Sequence, residues 1–265
     1  MGVTSSYDPP RKASSLADFV RRHDPDRFLT ALFAPADKRE ALFALYAFNH
    51  ELARAREVVS EAPLALIRLQ WWREVVEGAH RRHEVAEPLS AAIKSGALHS
   101  GDLLRIIDAR EAEVAPAFGT SRDWHDYLRG GAGGLAVAAA RLLGAIEPEQ
   151  FRPLGAAFGL AGLLRSVTVH AGQGRCLLPA DALAAHHLSP DHVIANPQVA
   201  RGAVVQLAGE GLALLRHRRL PSRVVAAALP AVLARRDLLR APLFAQPRGI
   251  SDRMAVVRAG LTGRV

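Results

Sequence analysis

Tyr46, His50, Ala53 and Glu57 fall at i, i+4, i+7 and i+11, so a helix through this segment carries all four on one face. An imidazole and a carboxylate two turns apart are part of the donor set a metal site requires, although no tight His-x-x-x-His or Cys spacing accompanies them. His80 and His83 sit among Arg81, Arg82 and Glu84, which reads as a solvated helix end. Gln70, Trp71, Trp72 and Arg73 combine indoles with a guanidinium, the side chains concentrated in binding hot spots, and are candidates for docking a partner. Neighbours on a helix diverge by about 100°. At most one indole therefore faces the core squarely, with packing of both against the core as the competing reading. Cys176 is the only cysteine and has no His or Asn partner in a triad pattern, so it reads as a small buried hydrophobe.

The elements that must position these residues are helices. Ala, Leu, Val and Arg dominate the 265 residues, and Ala, Leu and Arg lose little entropy in a helix. The pattern predicts helices near 14–23, 25–33, 38–59, 63–84, 88–96, 101–117, 121–144 and 148–170. Further helices are expected at 180–186, 190–195, 197–219, 222–238 and 250–262. Thr120 or Ser121 can cap the segment containing Trp124, Pro63 and Pro197 suit first turns, and Gly144 and Gly172 suit ends. The stretch 154–169 carries one charge, Arg165, and is apolar nearly all round, which predicts a central buried helix. Glycines in 130–143 allow close helix approach. Neither a period-2 strand nor a 20–50-residue repeat is present.

Composition narrows the function classes. Hydrophobic residues make up 49% and charged residues 23%, enough for one large core with no linker, so 14–265 reads as a single domain after a disordered tail at 1–13. One cysteine rules out a disulfide framework and a multi-Cys zinc site. No secretory h-region or membrane-spanning stretch is legible. The net charge of +8 is spread over most helices without a nucleic-acid-binding motif, so nucleic acid is not an expected partner.

Three segments carry a resemblance. Phe43-Ala44-Leu45-Tyr46-Ala47-Phe48 resembles the start of the first aspartate-rich helix of squalene and phytoene synthases. Gly159-Leu160-Ala161, Gly174-Arg175 and Leu178-Pro179 resemble that family's second aspartate-rich region, and Trp124 to Gly144 resembles the helix between them. The likeness runs in matching order over roughly residues 20–240. It implies an all-α, orthogonal helical bundle of the class I isoprenoid synthase type, with a central cavity apolar at depth and basic at its mouth.

The family's chemistry begins with ionisation of an allylic diphosphate, helped by Mg²⁺ held on carboxylates from two facing helices. The resemblance places Ala53, Arg54 and Glu57 where the enzymes have aspartates on the first helix. On the second, Leu163, Ser166 and His170 replace a Gln, Asn and Asp pattern. Asp26-Arg27 stands where the enzymes present Ser-Phe to a phosphate, and Leu177 where they have a Tyr. No Asp or Glu occurs between Gln150 and Ala180. The expectation is a degenerate site with no metal and no catalytic residue, Ala53, Arg54, Glu57, Ser166 and His170 marking its lost positions.

Candidate cavity residues are then Tyr46, His50, Arg54, Glu57, Arg165, Ser166, His170 and Arg175. His50, His170 and Glu57 make three possible metal ligands, but imidazoles filling the space left by lost aspartates is the favoured reading. Arg54, Arg165 and Arg175 could hold a diphosphate or phospholipid headgroup without metal, or be ion-paired.

A second resemblance is to a divergent branch of the superfamily, the complex I assembly factor 6 type and its bacterial relatives. It rests on residues 47–53, Val59-Ser60-Glu61, Arg68-Leu69-Gln70-Trp71-Trp72, the short loop after His170, and 175–179. It implies a non-catalytic role in assembling an NADH:ubiquinone oxidoreductase, with respiratory complex I subunits or assembly intermediates as partners. The expected location is the cytoplasm, with at most peripheral contact with the inner membrane. An active Mg²⁺-dependent prenyl synthase drawing on Asp108, Glu111 and Glu113, and a prenyl or lipid carrier without turnover, are the alternatives.

Overall fold

The helical pattern is realised along the chain in the computed structural model, which describes residues 15–57, 62–115, 117–242 and 247–265. The expected N-terminal tail lies outside the described residues, as does Val59-Ser60-Glu61. No strand occurs among the described residues, only two isolated bridges, Phe118 to Pro179 and Arg219 to Arg264.

Helix α1 (Ser15–His23) and α2 (Pro25–Ala31) lead into α3 (Arg39–Glu57). Asp24 caps α2, accepting from the Arg27 amide, with Pro25 in the first turn, where no amide is needed. α4 (Ala62–Val76) and α5 (Ala86–Lys94) pack on α3, and α6 (Ser100–Glu111) packs on α4. α7 (Ser121–Gly130), α8 (Ala132–Leu142), α9 (Arg152–Arg165) and α10 (Val167–Gly172) follow. Short helices α11 (Ala180–Ala184) and α12 (Pro190–Ala195) precede α13 (Arg201–Ala213), α14 (Ser222–Val225), α15 (Pro230–Leu239) and α16 (Ile250–Thr262).

α9 is the centre of the bundle, with α7, α8, α13 and α15 packed around it, as its uninterrupted apolar surface requires. Its glycines set the approach. A Cβ at Gly155 would lie 2.3 Å from the Ala132 carbonyl oxygen and 2.6 Å from the Ala136 Cβ. Only glycine permits this crossing of α8 and α9.

Several predicted helices are shorter or divided. The segment expected at 63–84 stops at Val76, because Gly78 adopts φ +112°, outside the helical region. His80 and His83 consequently lie in a loop rather than at a helix end. The segment expected at 121–144 breaks at Gly131 (ψ −87°), giving α7 and α8 different directions. Thr120 caps α7 as expected, accepting from the Asp123 amide at 3.1 Å. Pro230 divides the stretch expected at 222–238, since it cannot donate to the preceding turn.

Candidate functional site

Where α2, α3, α6, α7, α9 and α10 converge they enclose a cavity of about 270 Å³. His50 and Ala53 on α3 reach it from one side, and Ser166, His170 and Arg175 reach it from the other. The two helices expected to face one another therefore do so, with imidazoles in the wall. His50 stacks on His23 (centroids 4.6 Å apart) and meets the edge of Phe19 at 5.5 Å. Its Nε2 has no hydrogen-bond partner. Burial, then the nearby His23 and Arg54, lower its pKa from 6.5 to about 4. Burial and Arg175 push His170 in the same direction. Both shifts favour the neutral ring.

Other predicted residues fall elsewhere. Tyr46 is buried behind Arg27, next to the cavity rather than on it, and burial raises its pKa. Arg54 lies one residue off the cavity face of α3 and pairs with Glu51 at 3.7 Å. Arg165 points toward α15, where the buried carboxylate of Asp237 holds it at 3.5 Å. Among Arg54, Arg165 and Arg175, only Arg175 lines the cavity, so these three do not converge. The side chain of Glu57, the last residue of α3, lies outside the described set.

The guanidinium groups that do line the cavity are Arg27, Arg110 and Arg175. Arg27 lies over the rings of Phe158 (4.8 Å) and Tyr46 (5.7 Å) and pairs with Asp24 at 2.7 Å. Arg110 donates to Glu113 (2.6 Å), to the Tyr127 hydroxyl (3.2 Å) and to the Asn49 side-chain oxygen (3.1 Å). Tyr127 also donates to Glu113, and Arg175 donates to the Glu113 carbonyl at 2.9 Å. Arg27 carried a signal in the sequence, since Asp26-Arg27 replaces the family's Ser-Phe. Arg110 and Asn49 carried none, because their meeting requires the packing of α6 against α3.

This lining does not suit Mg²⁺. A hard dication needs several carboxylate oxygens, and the described carboxylates here, Asp24 and Glu113, are each already bound by an arginine. Nor do the alternative acids form a cluster. Asp108 and Glu111 both accept from Arg73, at 2.7 and 2.9 Å, on the outer side of α6, while only Glu113 reaches the cavity. Among the described residues no group of three His, Cys, Asp or Glu could hold a metal. The apolar space beyond Arg27 and Phe158 is about 10 Å³, on the order of one water molecule. The cavity is thus polar and shallow, against the expectation of apolar depth.

The tryptophan patch divides. Trp72 is 2% exposed and packs edge-on to Phe48 at 5.5 Å, while Trp71 stands edge-on to Trp72 at 4.8 Å and is half-buried. His83 meets both indoles edge-on. Trp71, Ile67, Arg68 and Glu51 border a surface hollow of about 270 Å³. Arg73 is committed to Asp108 and Glu111, so it belongs to the α4–α6 contact and not to this patch.

Residues 20–242 match the squalene/phytoene synthase family. The chain belongs to that family. A rat (Rattus norvegicus) protein named NADH dehydrogenase (ubiquinone) complex I, assembly factor 6, is 31% identical over 82% of this chain and 68% of its own length. A presqualene diphosphate synthase of Sinorhizobium fredii is 26% identical over 56% of each chain. A dehydrosqualene synthase structure superposes with a TM-score of 0.68 at 15% identity, covering 93% of this chain and 94% of that one. The bundle is therefore the isoprenoid synthase fold. This member of the squalene/phytoene synthase family keeps the helices that frame the cavity and presents arginines there. No helix among the described residues is long and apolar enough to cross a membrane.

Proposed function

We propose that this protein is a non-catalytic assembly or stability factor for respiratory complex I, working in the cytoplasm in peripheral contact with the inner membrane. The observation that carries the reading is the cavity's charge. Arg27, Arg110 and Arg175 occupy a wall where ionising a diphosphate with Mg²⁺ would need free carboxylates. Likeness to the rat complex I assembly factor supplies the class of partner. In this reading no cofactor is needed, and the hollow beside Trp71 and Ile67 is where a complex I subunit or assembly intermediate docks.

Turnover is the first test. The protein is incubated with Mg²⁺, NADPH and farnesyl or geranylgeranyl diphosphate, and diphosphate release is followed. Release at the no-protein level is expected. Sustained Mg²⁺-dependent release, abolished by Glu57→Ala, would overturn the reading.

A second reading, not exclusive of the first, is that the cavity binds an anionic headgroup without metal. The three arginines favour it, since guanidinium groups recognise phosphate oxygens bidentately. Inorganic diphosphate should then raise the melting temperature equally with and without EDTA, and Arg175→Ala should remove the effect. A rise that needs Mg²⁺, or none, counts against it.

A further inference from the structure

Helix α16 has an unusual distribution of apolar residues. Its core side is formed by Asp252, Val256 and Ala259, against α15, α2 and α14. On the opposite side Ile250, Met254 and Leu261 are 82%, 58% and 78% exposed. With half-buried Val257 they stand at i, i+4, i+7 and i+11, one continuous stripe facing away from the protein. Exposed Arg253 and Arg258 flank the stripe. The only acid of the helix, Asp252, is turned inward and bound by Arg236 (2.5 Å) and Arg240 (2.9 Å), so no acid lies on the outward surface.

Beside the helix lies a groove of about 390 Å³. Its floor is apolar, including Leu154, Val232 and Ala259, and its rim carries Arg216, Arg235, Arg258 and Arg264. No Asp or Glu lines it. Arg235 spends one donor on the Leu215 carbonyl at 2.7 Å, and the other three arginines are exposed.

We propose that the outward face of α16 and the arginine-rimmed groove beside it dock on an anionic lipid surface. α16 is held lengthwise against the bundle, so its stripe can only lie flat, the orientation of interfacial helices whose apolar residues enter the headgroup boundary while arginines meet phosphates. Charge complementarity selects the partner. Several arginines around an apolar surface, with no Asp or Glu side chain among them, suit a fluid array of phosphates over acyl chains. This deepens the peripheral location proposed above and does not depend on the assembly role.

The test is co-sedimentation of the full chain with phosphatidylcholine vesicles, with and without phosphatidylglycerol, at low and high salt. Wild type is expected to bind only the anionic vesicles and to be released by salt. Arg258→Glu with Arg264→Glu should lower partitioning at least about ten-fold, given roughly five-fold per arginine near an anionic surface. Met254→Ser with Leu261→Ser should lower it too, and Arg122→Glu on α7 serves as a charge control. All changed positions are exposed, and unchanged thermal melts confirm intact folds. Failure of wild type to bind anionic vesicles overturns both this face and the peripheral location. Binding by wild type that the α16 variants lose no more than the control overturns this face alone. Concentration-dependent self-association without lipid, abolished by Leu261→Ser, would overturn it in favour of a second copy as occupant.

Discussion

Protonating His50 would put a charge into a half-buried position near His23 and Arg54, and burial first, then those two neighbours, lower its pKa from 6.5 to about 4. The folded state therefore binds this proton less readily than the unfolded chain. Its contribution to stability is intact above pH 6.5 and is lost as pH falls toward 4. His170 adds in the same direction. Thermal melts between pH 7 and 4.5 should show a wild-type decline that is shallower in His50→Asn; parallel declines would contradict this account. Arg110 poses a different test. The Glu113 side chain is 9% exposed, and Arg110→Ala would strand its carboxylate beside Tyr127. A loss of about 3 kcal/mol in denaturant unfolding is expected, with Glu113→Ala in the same background recovering part of it.

At the scale of helices, close approach and core anchoring make the predictions. Gly155→Ala forces a methyl into the Ala132 carbonyl and should cost about 1–3 kcal/mol by strain. Trp72→Ala removes a buried indole and should cost about 3–5 kcal/mol. Trp71→Ala, at the hollow's edge, should cost about 1 kcal/mol or less. It should instead weaken capture of a complex I partner, readable by co-purification. The course of these helices was legible where the signal is local: Thr120 as a cap, Pro63 in a first turn, and the apolar run expected at 154–169 as the centre as far as Leu164, beyond which the helix breaks at Ser166 and Val169 is exposed. Breaks were less legible. A Gly-Gly pair such as Gly130-Gly131 serves equally for close packing and for a change of direction. Both occur here: a Cβ at Gly130 would lie 2.8 Å from the Ala109 Cβ, and the helix turns at Gly131.

Over the whole molecule, the dehydrosqualene synthase structure and this chain share the bundle. The described cavity of this chain is built from arginines, imidazoles and paired acids. The facing of His50 and His170 was readable because each lies on a recognisable helix. The convergence of Arg27, Arg110 and Arg175 was not, since it depends on three elements meeting rather than on any spacing along the chain. Arg54 and Arg165 follow the ion-paired alternative instead of the cavity, because a helix turns each toward a carboxylate, Glu51 or Asp237. The proposed assembly role requires that complex I depend on this protein. The most direct measurement is assembled complex I on native gels from a deletion strain, complemented with wild type or with Trp71→Ala. Depleted complex I, restored by wild type and less well by Trp71→Ala, is the predicted result; normal complex I in the deletion strain would contradict the assembly role outright.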